Sequence, residues 1–286
     1  MIGLIVAGVV VLGLVFTAAT VVGKQRRDAA GPTGPVKAEH CVNLRTESAP
    51  SSSTKTIRQA RRVSCTAKDA KAKVVKVVKA GERSAFVLPM GQSEPDCPDG
   101  ADAVMNVTLN DKDKRYWETC TRNLAGPHPG DPGAGGGMLG AGDCVGDLQI
   151  MGSEEPCTGT GWYGKVVARV PAERDCPASR TLETARLSRF GGSTVPRPVV
   201  CIGAGGKVLS SGDCIGDISF MVNGPQKQAC SSQSAIAKIT ARVDTRKECP
   251  SGSDKFLEAE NAYRPVLCLH QIRPTFDEKI KSLGGG

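Results

Sequence analysis

Apolar positions along the chain fall into one long run and many short ones. Residues Ile2 to Val22 carry no charged side chain, and Thr17 and Thr20 are the only hydroxyls among them. As a helix this run would measure roughly 30 Å, the thickness of the hydrocarbon layer of a bilayer, so residues 1–23 are predicted to form a transmembrane anchor. Beyond it the apolar runs are short and β-branched: Val74 to Val78, Val166 to Val170 and Ile239 to Val243. In the last of these, Ile239, Ala241 and Val243 alternate with Lys238, Thr240 and Arg242, the period of two expected of a half-buried strand. Val104 to Leu109 and Arg115 to Thr121 flank Asn110 to Lys114, which reads as a hairpin. After the anchor no segment carries a long amphipathic helical pattern. The fold class expected is mainly β, with small sandwich-like or barrel-like modules.

The cysteines give these strands a repeat. They fall into three sets of four: Cys41, Cys65, Cys97, Cys120; then Cys144, Cys157, Cys176, Cys201; then Cys214, Cys230, Cys249, Cys268. Eight residues after each second cysteine stands a lysine (Lys73, Lys165, Lys238) that opens a β-branched run, and each third cysteine precedes a proline. The second and third sets open on Gly142-Asp143-Cys144 and Gly212-Asp213-Cys214, and they close in Val199 to Ile202 and Val266 to Leu269. Such coincidences point to one unit used three times. No Cys-x2-Cys pair of the zinc-site kind is present and the count is even, so disulfides formed in an oxidising compartment are expected. Four cysteines allow three pairings. Local loops favour first with second and third with fourth, each staple adding ~3 kcal/mol by loop-closure entropy to a core too small to suffice alone.

Glycine and proline mark the boundaries. The expected order is anchor 1–23, stalk 24–38, module 39–125, Gly/Pro linker 126–139, module 140–204, module 205–272 and a frayed tail 273–286. Gly126 to Gly142 holds eight glycines and three prolines and is expected to form no packed core.

Charge separates the modules. Residues 24–126 carry 19 basic and 12 acidic side chains, or +7, against 7 − 8 = −1 for 127–206 and 11 − 9 = +2 for 207–286. Ten of the bases are Lys55, Arg58, Arg61, Arg62, Lys68, Lys71, Lys73, Lys76, Lys79 and Arg83, the candidate anionic-surface site. Lipid headgroups and cell-wall polymers are the polyanions such a face would meet outside a membrane. A face that merely keeps the module soluble is the competing expectation. Nucleic acid is disfavoured, because Tyr116 and Trp117 are the only adjacent aromatic pair available for stacking.

Catalytic and metal patterns are absent. His40, His128 and His270 share no ligand or triad spacing, and Gly-x-Ser-x-Gly does not occur. Asp143, Asp147, Asp213 and Asp217 recur at matched places beside glycine, where aspartate commonly forms turns. No cofactor and no enzymatic activity is expected. Asn106-Val107-Thr108 fits a glycosylation sequon, a tripeptide too common to weigh.

The order Gly-Asp-Cys-Val, Lys-Val-Val after the second cysteine, a third cysteine, and Leu267-Cys268-Leu269 resembles the LppU-like family of actinobacterial cell-envelope proteins. Residues 140–272 carry the pattern twice. The first module is a divergent copy, with Glu39-His40-Cys41 in place of Gly-Asp-Cys and Thr119-Cys120-Thr121 in place of Leu-Cys-Leu. The resemblance implies a membrane-associated envelope protein and nearly nothing about biochemical activity. The family's lipidated cysteine is missing, so anchoring would rest on the apolar run. Lys24, Arg26 and Arg27 after that run would by themselves keep the modules in the cytoplasm. Twelve cysteines outweigh three bases, and a basic segment preceding Met1 would reconcile the two. The expectation is a single-pass protein whose bulk is extracytoplasmic and binds an envelope partner, lipid or wall polymer. A spacer without a ligand and, more remotely, a wall hydrolase are the alternatives.

Overall fold

The computed structural model describes residues 34–46, 58–82, 95–110, 114–136, 138–146, 154–187, 195–217 and 224–283. The anchor 1–23 lies outside them, as do Lys55, Arg83 and Asp147. Among the described residues no helix is long and apolar enough to cross a membrane.

The chain is mainly β and divides into two compact units, Met1–Val87 with Ala103–Pro127, and Leu88–Asp102 with His128–Gly286. In the first unit β1 (Cys41–Thr46), β2 (Arg58–Val63), β3 (Ala72–Glu82), β4 (Ala103–Thr108) and β5 (Arg115–Asn123) close into a barrel. The second unit holds two five-stranded sheets. One contains β6 (Cys144–Val145), β7 (Glu154–Glu155), β8 (Gly164–Val170), β9 (Glu183–Arg186) and β10 (Val199–Gly203), in the order β7-β6-β8-β10-β9. The other contains β11 (Cys214–Gly216), β12 (Lys227–Gln228), β13 (Ala235–Val243), β14 (Lys255–Glu258) and β15 (Val266–Gln271), in the order β12-β11-β13-β15-β14. Read from β2, the barrel has the same order, β2-β1-β3-β5-β4. Its end strands then pair in parallel, from Arg58↔Met105 to Arg61↔Thr108. A six-residue β2 reaches β4 where the two-residue β7 and β12 reach no further strand.

The repeat extends to individual hydrogen bonds. Val74, Val166 and Ile239, each following the lysine, donate to the carbonyls of His40, Asp143 and Asp213 at 2.8 Å. Their own carbonyls accept from the N–H of Glu39, Gly142 and Gly212 at 2.8 to 2.9 Å. That last residue needs a positive φ, which glycine adopts freely: 95° at Gly142 and 93° at Gly212. The first module forces Glu39 to 70° there. Asp143 and Asp213 take the turn role expected of them, accepting the N–H three residues back from Gly140 (2.6 Å) and Ser210 (2.9 Å). In the first module His40 substitutes, its Nδ1 accepting from Lys37 N–H at 3.0 Å.

The cores are small and matched. Val36, Leu139 and Leu209 are equivalent and buried, as are Val42, Val145 and Ile215. Val36 is therefore part of the barrel core, although its position in the sequence suggests the stalk. Where the later modules bury Val200 with Ile202 and Leu267 with Leu269, the barrel buries Thr119 and Thr121, whose hydroxyls donate to Met105 and Ala103 carbonyls at 3.1 Å. Trp117 supplies the missing apolar volume. Val208 packs into the second module's core and Leu209 into the third's, so adjacent residues weld the two sheets.

The expected linker 126–139 does not behave as a free segment over its described residues from 128 on. Gly130 N–H donates to buried Asp102 (2.8 Å), Gly133 to Asp143 (3.1 Å) and Gly135 to Glu154 (3.0 Å). A Cβ on Gly130 would lie 2.5 Å from the Ala101 carbonyl, so these glycines allow close packing that larger residues would prevent. Within the expected tail, residues 276–283 form a helix. Helix α1 (Phe276–Leu283) is tied by Phe276 N–H to Asp217 (2.6 Å) and by Glu278, whose carboxyl is held down at about 2 by Lys255, then by the Thr275 N–H and Gln271.

Two buried arginines close the later modules. Arg169 and Arg242 stand four residues after Lys165 and Lys238. Their Nε atoms donate to the Arg197 and Arg264 carbonyls (3.2 and 2.9 Å) and their Nη1 atoms to the Leu139 and Leu209 carbonyls (3.2 and 2.9 Å). Nη2 of Arg169 reaches the Pro196 carbonyl, whereas Nη2 of Arg242 meets the Glu183 carboxylate at 3.0 Å.

Replacing Arg242 by Met should therefore cost about 3 kcal/mol in denaturant unfolding, because it strips a partly buried carboxylate of its cation. Arg169→Met, which removes hydrogen bonds to the Arg197, Leu139 and Pro196 carbonyls, should cost about half that. The His40 turn gives a second expectation. Burial first, then Arg62 and Lys37, lowers the His40 pKa. A depressed pKa means that stability is complete above pH ~6.5, the unfolded value, and is lost as pH falls through the folded value. Thermal unfolding of His40→Asp between about pH 7.5 and 5 should lack that acid-side loss.

Candidate functional site

All twelve cysteines are disulfide-bonded. The bonds include Cys41–Cys65, Cys144–Cys157, Cys176–Cys201, Cys214–Cys230 and Cys249–Cys268, so they join first to second cysteine in every module and third to fourth in the last two. Cys97 and Cys120 are disulfide-bonded as well.

The first of these bonds organises the basic segment. Strands β2 and β3 flank β1 on its two sides, with Val42 opposite Arg62 and Cys41 opposite Lys73. Cys41–Cys65 ties down the turn that joins β2 to β3 and carries Lys68 and Lys71. Bases strung along the sequence from Arg61 to Lys73 thus gather around one strand.

The structure divides these bases by what they touch. Arg62 donates from Nη1 to the Gly34 and Pro35 carbonyls (3.1 and 3.2 Å), and burial lowers its pKa, so it pins the incoming chain to the barrel. Lys79 pairs at 3.2 Å with Glu118, whose side chain is only 5% exposed, and so balances a buried charge. Lys73 pairs with Glu39. Arg61, on β2, and Lys68 and Lys71, on the turn, complete the set together with Lys76 on β3. Lys68 and Lys71 are exposed. Asp69, the one acid of that turn, accepts from Asn43 Nδ2 at 2.9 Å.

The histidines do not converge. His40 serves its turn, His128 Nδ1 lies 3.1 Å from buried Asp102, and His270 lies 3.3 Å from Asp254. Asp102 also takes the Gly130 N–H, so the His128 pair organises a loop. Among the described residues no group of three or more His, Cys, Asp or Glu side chains could hold a metal ion. Asn106 and Thr108 of the sequon lie in β4, with Thr108 buried. What the basic turn can do chemically is attract anions through an exposed, salt-screened field.

No family model matches the chain, and no curated protein or solved structure matches it.

Proposed function

We propose that the chain is a non-enzymatic envelope protein, anchored by residues 1–23, whose modules lie on the extracytoplasmic side and whose first barrel adheres to phosphate-bearing polyanions. The observation that carries this is the gathering of Arg61, Lys68 and Lys71 around β1 by the Cys41–Cys65 bond. The compartment rests on the disulfides, which persist where thiols are oxidised. Anionic lipid headgroups and wall polymers share the phosphate chemistry that such a turn would attract.

The test is binding of the full-length chain, in neutral detergent, to polyphosphate and to micelles doped with phosphatidylglycerol. Arg61→Glu, Lys68→Glu and Lys71→Glu together should weaken binding at low salt about tenfold and flatten its salt dependence. Lys79 is left intact, because reversing it would strand Glu118. Binding unchanged by the triple substitution would contradict adhesion and leave the charges as a solvated face. A response to the micelles alone would assign the face to lipid.

A further inference from the structure

The two joints inside the second unit are copies of each other. Arg197 and Arg264 each stand four residues before the last cysteine of their module, and each precedes a proline. Arg197 donates from Nη2 to the Cys97 carbonyl (3.0 Å) and from Nη1 to Asp99 (3.1 Å). Arg264 donates from Nη2 to the Ala178 carbonyl (2.8 Å) and from its backbone N–H to the Leu182 carbonyl (3.0 Å). Each arginine thus grips the loop after the third cysteine of the preceding set, Cys97-Pro98-Asp99 or Cys176-Pro177-Ala178. At the second joint Tyr263 also packs on the patch formed by Cys176, Val199 and Cys201. The gripped cysteines are covered, with Cys97 4% and Cys176 6% exposed.

The third module repeats this face in the open. Cys249-Pro250-Ser251 comes after the same short 3-10 turn that precedes Cys176. Here Cys249 is half-buried and Ser251 exposed. Phe256 stands opposite Cys268 in the ladder as Thr184 stands opposite Cys201, and it is 43% exposed. Helix α1 reaches Lys255 through Glu278 (2.7 Å) yet leaves the Phe256 ring accessible. Beside it a cleft of about 450 Å3 is lined by Asp244, Glu258 and Glu260 over Pro265 and Val266. Its one base, Arg246, is paired with Glu258 at 2.8 Å and stacks on Phe256 at 3.9 Å. Asp244 is engaged at 3.7 Å by Arg264 Nε, and Glu260 with the exposed ring suits a guanidinium beside an aromatic side chain.

We propose that this face of the third module docks a partner protein that presents an aromatic residue followed by arginine on a closed loop, as the third module presents Tyr263-Arg264 to the second. It continues the interface already used within the unit and does not depend on adhesion by the first barrel. The partner is a different protein. Arg197 and Arg264 of this chain are already engaged, and the first module carries the reverse order, Arg115-Tyr116, at the corresponding place.

The probe is a fluorescently labelled cyclic peptide with the sequence of Ala259 to Val266, a loop that the protein closes through Ala259 N–H to the Pro265 carbonyl at 2.7 Å. It should bind the full-length chain saturably by fluorescence anisotropy. Replacing its arginine by alanine should weaken binding about tenfold, and Phe256→Lys in the chain should weaken it about fivefold. Retention of all disulfides and of the thermal midpoint would show that the exposed substitution leaves the fold intact. Absence of saturable binding, or binding that ignores either change, overturns the proposal. Self-association of the chain that Phe256→Lys abolishes would also overturn it, assigning the face to a second copy.

Discussion

Each module depends on disulfides because its apolar core is too small to hold five short strands by burial alone. The third module buries seven apolar side chains in its cluster and no large aromatic among them. At roughly 25 cal/mol per Å2 such a cluster offsets little of the ordering entropy. The first–second bond fixes the opening strand beside the turn that returns the chain. In the later modules the third–fourth bond fixes the closing strand, where Cys201 and Cys268 are fully buried. Everything between those bonds can then vary.

That latitude explains why the copies differ as they do. The barrel tolerates Thr119 and Thr121 in its core because Met105 and Ala103 carbonyls satisfy them, and it tolerates Glu39 at positive φ because two backbone hydrogen bonds hold the turn. Parallel pairing of β2 with β4 closes it, and its outer turn is left to carry charge. The later modules leave their end strands unpaired with each other and join through arginines that bind backbone carbonyls. One framework therefore yields a charged barrel in one unit and a welded pair of sheets in the other.

Much of the framework was legible in the sequence because it rests on residue types with strong local preferences. Gly-Asp before a cysteine, lysine before a β-branched run, and proline after the third cysteine all mark features found at those places. Barrel closure was not legible, since parallel pairing of β2 with β4 depends on strand length. Arg169 and Arg242 were hidden as well, because a charged residue on a strand reads as exposed and most of the partners described for them are carbonyls, which leave no mark in a sequence. Gly130 looks like linker for the same reason: its use is in close approach to the Ala101 backbone. Of the ten bases, the sequence could not distinguish Arg62 and Lys79, which are engaged by the barrel, from Lys68 and Lys71 on the turn.

Whether one disulfide-stapled unit is used three times is decided by peptide mapping of the unreduced full-length protein. Linked peptides are expected for Cys41–Cys65, Cys144–Cys157, Cys176–Cys201, Cys214–Cys230 and Cys249–Cys268, with Cys97 and Cys120 also oxidised. Free thiols at these positions, or bonds joining one set of four to another, would contradict the repeat.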